Sequence, residues 1–169
     1  VYDQVGGGFS RYSVDSKWHI PHFEKMLYDN AQLISLYSDA YKLTKNSLYK
    51  NVVYETISFL NSELKDSSGG YYSSLDADSK TDENVLEEGA FYVWTEEELI
   101  KVLKEKFKLF SDYYNINEYG YWEDNKYVLI RNQKDVEIAS KFNISEDELT
   151  KLIQSCKSEL NKVRNKRIK

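Results

Sequence analysis

Two apolar stripes separated by four residues constrain this chain more than anything else in it. Between Pro21 and Leu43, Met26, Leu33, Tyr37 and Ala40 recur with helical period, and Phe23, Leu27, Ile34 and Tyr41 run alongside. Between Leu48 and Leu64 a second stripe carries Leu48, Val52, Thr56, Phe59 and Leu60. With only Thr44 to Ser47 between them, the two helices must turn back on each other as an antiparallel hairpin. His22 and Asp29 fall at the margin of the first stripe and Asn30 falls within it. Polar groups on a buried face are costly unless hydrogen-bonded, so each needs an internal partner or a cavity where a ligand binds. The plainer alternative is that they satisfy the backbone of a neighbouring loop.

Beyond the hairpin, Gly69-Gly70 ends helical structure and Tyr71 to Ser74 reads as a strand. Phe91 to Trp94 reads as its partner, with the acidic excursion DADSKTDENVLEE as the long loop between them. Thr95 with Glu98 satisfies the capping-box pattern and starts a helix that runs to about Lys104. A further helix is expected from Phe107 to Tyr114, then a second hairpin from Gly120-Tyr121-Trp122 and Tyr127 to Ile130. Asp135 precedes a short helix. Ser145 with Glu148 opens a long one whose Leu149, Leu152, Ile153, Cys156, Leu160 and Val163 form a packing seam.

At 169 residues, 41% apolar and 15% aromatic, the chain can build a real core and is not disordered. No run of about 18 apolar residues suggests a membrane span, and no leader pattern is present. The chain opens at Val1 with Met26 as its only methionine, so a fragment or processed product is expected, with targeting signals lost and a cytoplasmic location the default. A net charge of −5 argues against binding nucleic acid. The one basic cluster, Lys162, Arg164, Lys166, Arg167 and Lys169, also suits a helix C-terminus. Cys156 is the single cysteine, so neither an internal disulfide nor a CxxC centre is available, and it reads as a small buried hydrophobe.

No cofactor or metal motif emerges. Asp76, Asp78, Asp82 and Glu87 match positions of a calcium loop, but Lys80 occupies a ligand position and Thr81 replaces the required glycine. Gly6-Gly7-Gly8 lacks the endings of phosphate and dinucleotide loops and reads as a turn that lets backbone approach closely. Asp76 and Asp78 follow a strand beside aromatic residues, and paired carboxylates beside aromatic platforms are what glycoside chemistry uses. His22 suits acid or base work near neutrality. Asp29, two helical turns on, would need an intermediate partner such as Lys25 or Asn30.

The segments GGGFSRYSVDSKWHIPHFEKMLYDNAQL, GGYYSSLDADS and EEGAFYVWTEEEL closely resemble the spermatogenesis-associated protein 20 type family, which joins an N-terminal thioredoxin-like domain to a C-terminal α/α toroid. The resemblance runs to about Ile130, with the rest fitting the more variable helical region. It implies a mainly α fold in which residues 1–169 form part of one six-hairpin glycosidase-like α/α toroid, with antiparallel helical hairpins and small β-hairpins. The thioredoxin-like domain and the remaining hairpins lie outside it. The toroid is similar to six-hairpin glycosidases and N-acylglucosamine 2-epimerases, whose sites lie in a funnel at one end of the ring. Arg11, Tyr12, His22, Glu24, Lys25, Asp29, Asn30, Asp76, Asp78 and Trp94 match the family pattern, and the resemblance implies that some of them line that funnel. The expected function is therefore a carbohydrate-active domain, hydrolysing a glycosidic bond or epimerising an amino sugar. His22, Asp76, Asp78 and Asp29 are its candidate catalytic groups. Arg11, Tyr12, Glu24, Lys25, Asn30 and Trp94 are its candidate substrate contacts. The rival is a non-catalytic module that binds ligands or clients for the thioredoxin-like domain.

Overall fold

A computed structural model describes residues 1–81 and 83–168. Asp82 of the calcium-loop pattern and Lys169 of the basic cluster lie outside the described residues. The fold is mainly α, with four small two-stranded antiparallel pairings among the described residues. Among the described residues, no helix is long and apolar enough to cross a membrane. The chain divides into two compact units, Val1–Ser79 with Leu86–Gly89, and Lys80–Val85 with Ala90–Lys169.

In the first unit the expected helical hairpin forms from α1 (Leu27–Thr44) and α2 (Ser47–Phe59), the latter continued by a π-helical turn at Leu60–Leu64. Lys45 ends α1 in the left-handed conformation, and the Asn46 side chain caps α2 by accepting from the Leu48 amide. Val52, Thr56 and Phe59 are buried as the stripe requires, whereas Leu48, next to the turn that joins the two helices, is exposed.

Helix α1 starts six residues later than its periodicity suggests. Pro21–His22 (β2) pairs with Tyr12–Ser13 (β1), and Lys25–Met26 (β3) pairs with Ser74–Leu75 (β4). Burial alternates here, with Pro21, Phe23 and Lys25 inward and His22, Glu24 and Met26 less buried, the signature of extended chain. The Leu27 amide is taken by the Ser73 carbonyl, so the helix cannot begin sooner. His22 consequently sits on a strand, and its helical alignment with Asp29 does not exist.

The acidic excursion also departs from expectation. It closes on itself, Asp78–Lys80 (β5) pairing with Leu86–Glu88 (β6), so the Tyr71–Ser74 strand does not pair with Phe91–Trp94. In the second unit Trp94–Thr95 (β7) instead meets Lys126–Tyr127 (β8). The expected second hairpin is present, with Tyr121 bridged to Tyr127. Helices α3 (Glu96–Leu103), α4 (Phe107–Tyr114), α5 (Asp135–Phe142) and α6 (Glu146–Arg164) follow the sequence reading, and the capping boxes at Thr95/Glu98 and Ser145/Glu148 are both formed. Leu149, Ile153, Cys156 and Leu160 of the α6 seam are buried with Leu99, Leu103, Phe110 and Ile138.

Candidate functional site

The glycine-rich start of the chain folds around one lysine. Asp3 accepts through Oδ1 from the amides of Val5 (3.0 Å) and Gly6 (3.1 Å), and through Oδ2 from Lys25 Nζ at 2.9 Å. Lys25 Nζ also donates to the Gly7 carbonyl at 2.9 Å and lies 4.4 Å from the Phe59 ring centroid. Its side chain is 1% exposed. The close approach depends on Gly8, at φ +78°, where a Cβ would stand 2.4 Å from Phe59. Asn30 plays a similar part. Its Oδ1 accepts from the Phe9 amide at 2.7 Å, while Nδ2 donates to the carbonyls of Phe9 (3.0 Å) and Met26 (2.8 Å). Lys25 and Asn30 therefore direct their polar atoms to the protein interior.

The β1/β2 hairpin carries the more open residues. Asp15 braces its loop, accepting from the amides of Lys17, His19 and Ile20 and from the Ser13 hydroxyl. Burial works against the Asp15 charge, but the His19, Ile20, Ser13 and Lys17 hydrogen bonds outweigh it and hold the carboxyl below the usual range. At the base of the hairpin Tyr12 and His22 are register partners, with rings stacked at 4.9 Å and 14°. His22 Nδ1 lies 2.9 Å from Glu88 Oε1. Arg11 donates its amide to the Glu24 carbonyl at 2.9 Å and its guanidinium to Glu24 Oε2 at 3.2 Å. The hydrogen bond to Glu24, with the fields of Tyr28 and Asp29, raises the Arg11 pKa above its ordinary value. Asp29 Oδ2 is buried without a hydrogen-bond partner.

Asp76 and Asp78 are exposed, and Asp76 Oδ1 accepts from the Asp78 amide at 3.1 Å. The Gly89 amide donates to Ala77 O and the Thr81 amide to Val85 O, which sets Asp78 across from Glu88. Nine of the ten expected residues thus fall in the first unit. Trp94 does not. It belongs to the core of the second unit, 1% exposed, with the Arg167 guanidinium 4.1 Å from its ring centroid. Arg167 also donates to the carbonyls of Ala90, Phe91 and Val93 and to Glu98, so this part of the basic cluster is bound to its own unit. A recess of about 520 Å³ between α3 and α6, lined by Glu98, Lys101, Val102, Glu159, Lys162 and Val163, contains none of the expected residues. Among the described residues, no group of three or more His, Cys, Asp and Glu side chains is placed to hold a metal.

Neither Glu88 nor Asp15 stands out as a site residue in the sequence. Glu88 belongs to the EEGAFYVWTEEEL segment, but its partner is 66 positions away and nothing local announces it.

No protein-family model matches the chain. Across 187 aligned positions and 99% of this chain, an uncharacterised protein of Caenorhabditis elegans is 38% identical. Spermatogenesis-associated protein 20 of Mus musculus is 45% identical over 62% of the chain, and that of Homo sapiens 46% identical over 62%. The chain spans 26% of the nematode protein, 13% of the mouse protein and 14% of the human one.

Proposed function

We propose that this chain, a homologue of part of spermatogenesis-associated protein 20, is a carbohydrate-active portion of an α/α toroid, acting like a glycoside hydrolase or an N-acylglucosamine 2-epimerase. The observation that carries the reading is the Tyr12/His22 stack. A titratable ring 30% open to solvent lies against an aromatic face, with Glu88 on its Nδ1 and Asp78 across the strand from Glu88. His22 is the proton-transfer group, and Asp76, Asp78 and Asp29 are the acids from which its partner comes. Arg11, Glu24 and Tyr12 supply donors, acceptors and a stacking face for sugar hydroxyls and rings. Lys25 and Asn30 serve by fixing the glycine turn, and Trp94 by packing its own unit.

A second reading is favoured by a different observation. Trp18 is 74% exposed on the hairpin loop, and Leu36 (62%), Leu43 (87%) and Tyr54 (63%) are exposed on α1 and α2. Apolar side chains of this size in the open suit a module that binds ligands or clients for a thioredoxin-like domain in the same polypeptide.

Thermal-shift titration against mono- and oligosaccharides, amino sugars and their phosphates separates the two readings. A ligand at 100 times its Kd stabilises the fold by about 2.7 kcal/mol. The enzyme reading expects a sugar that stabilises the wild type but neither His22→Ala nor Asp76→Ala. No shift with any sugar, in folded proteins, abandons it for the binding module.

A further inference from the structure

We infer that Glu88 is a positioning residue that makes His22 a directed base, with Nε2 as the nitrogen that meets the ligand. The inference deepens the reading of His22 as a proton-transfer group and rests on it. It does not depend on the substrate being a sugar. A carboxylate oxygen only accepts, so the 2.9 Å contact from His22 Nδ1 to Glu88 Oε1 places the ring proton on Nδ1 and leaves the lone pair on Nε2. The side chain is 30% exposed, so the ring is open to solvent.

Two mobile surface side chains that happen to meet would contribute little and fix nothing. This pair is braced on both sides. Tyr12 lies flat on the imidazole at 4.9 Å, which limits rotation of the ring. Glu88 is followed by Gly89 at φ +71°, whose amide donates to Ala77 O at 3.0 Å. A Cβ on Gly89 would stand 2.4 Å from the ring of Phe23, the residue after His22. The strand bearing Glu88 is therefore pressed against the strand bearing His22 at the next residue along each chain. Carboxylate, imidazole and backbone hold one geometry, the arrangement that fixes tautomer and aim in histidine bases.

In operation Nε2 takes a proton from a substrate hydroxyl, an acidic C–H or a water molecule. The ring becomes an imidazolium carrying protons on both nitrogens. Nδ1–H stays hydrogen-bonded to Glu88, whose negative charge stabilises the cation, and the Nε2 proton is then returned to the oxygen or carbon that must leave protonated. Glu88 places a carboxylate against the ring, with Asp78 across the strand from it, so anionic ligands are disfavoured and hydroxyl-bearing ones fit.

The test uses ¹⁵N NMR of the two imidazoles together with modification by diethyl pyrocarbonate, which attacks the unprotonated ring nitrogen. His19 is 5% exposed and serves as the unreactive internal reference. The wild type is expected to show neutral His22 protonated on Nδ1. In Glu88→Ala and Glu88→Gln that preference disappears, and modification of His22 slows on the order of tenfold, the scale on which losing the carboxylate partner of a metal-bound histidine acts. Glu87→Gln, on the same strand, leaves both readouts unchanged. Removing Glu88 also uncovers the ring, so a purely structural role would speed the modification rather than slow it. Neutral His22 protonated on Nε2 in the wild type overturns the inference. So does an unchanged tautomer and rate in Glu88→Ala with an intact thermal melt. No sugar takes part, so a negative sugar screen beside a positive tautomer result defeats the carbohydrate reading alone, and the converse defeats this inference alone.

Discussion

Replacing Lys25 by methionine should destabilise the first unit by about 3 kcal/mol, and the reason lies in what is left behind. Lys25 is 1% exposed and its partner Asp3 10%, so deleting the ammonium strands a carboxylate in a dry site. Breaking a buried pair costs roughly 3 to 5 kcal/mol. The lower end applies because Asp3 Oδ1 keeps the amides of Val5 and Gly6, while Oδ2 and the Gly7 carbonyl lose their Lys25 donor. Methionine fills nearly the same volume and still contacts Phe59, so little cavity cost is added. Asp3→Asn should cost a similar amount, because it removes the negative charge that faces the buried ammonium. The double variant buries no charge and should fall short of the sum by at least about 2 kcal/mol, within the usual coupling range for residues in contact. Urea unfolding followed by hydrogen exchange of α1 and α2 amides reads this out for the first unit. At roughly 2 to 4 °C per kcal/mol, Lys25→Met should also melt about 6 to 12 °C lower. A cost under about 1 kcal/mol for Lys25→Met, or singles that simply add, would refute the assignment of Lys25 to the interior.

Gly8→Ala meets Phe59 at 2.4 Å and should cost more than about 3 kcal/mol in urea unfolding. Gly69→Ala, at φ +92° with nothing within 4 Å, should cost only the backbone strain of about 1 to 2 kcal/mol, and equal costs would show that the glycine turn does not fit tightly against α2. The Asp15 carboxyl titrates below its ordinary value, so its contribution is full above the unfolded pKa of about 4 and is lost as pH falls through the folded value. Protection of the Lys17, His19 and Ile20 amides, measured against their intrinsic exchange rates, should fall in that acid window, and in Asp15→Asn it should be low already at neutral pH. Burial pushes the Cys156 thiol up to about 11 and leaves it 0% exposed. Iodoacetamide at pH 8 should therefore leave folded protein unlabelled and label it fully in urea, and rapid labelling of the native form would contradict the packing of α6.

What could be read from the sequence divides by the range of the interactions that decide it. The caps at Thr95/Glu98 and Ser145/Glu148 close over three residues, and the α6 seam repeats within one helix, so both were legible. The stretch from Pro21 to Met26 was misread because its apolar residues are compatible with helical spacing. What makes it extended is pairing with Tyr12–Ser13 and Ser74–Leu75, together with burial of a lysine whose charge meets Asp3, the Gly7 carbonyl and the Phe59 ring. No local propensity encodes that. The same holds for Trp94, whose partner strand lies at Lys126–Tyr127 and whose ring is covered by Arg167.

The site follows the same division. Tyr12 and His22 face each other because a loop braced by one aspartate returns the chain within ten residues, and the motif holding both was conspicuous in sequence. Glu88 arrives from 66 residues away, carried by a strand that stops at a glycine pressed on Phe23. The sequence therefore exposes the ring that would do the chemistry and conceals the carboxylate that would aim it. For the same reason Glu88→Ala is the more discriminating perturbation. It leaves Tyr12, His22 and the Asp15-braced loop in place, so a change in the His22 tautomer can be traced to the one contact that only the tertiary fold supplies.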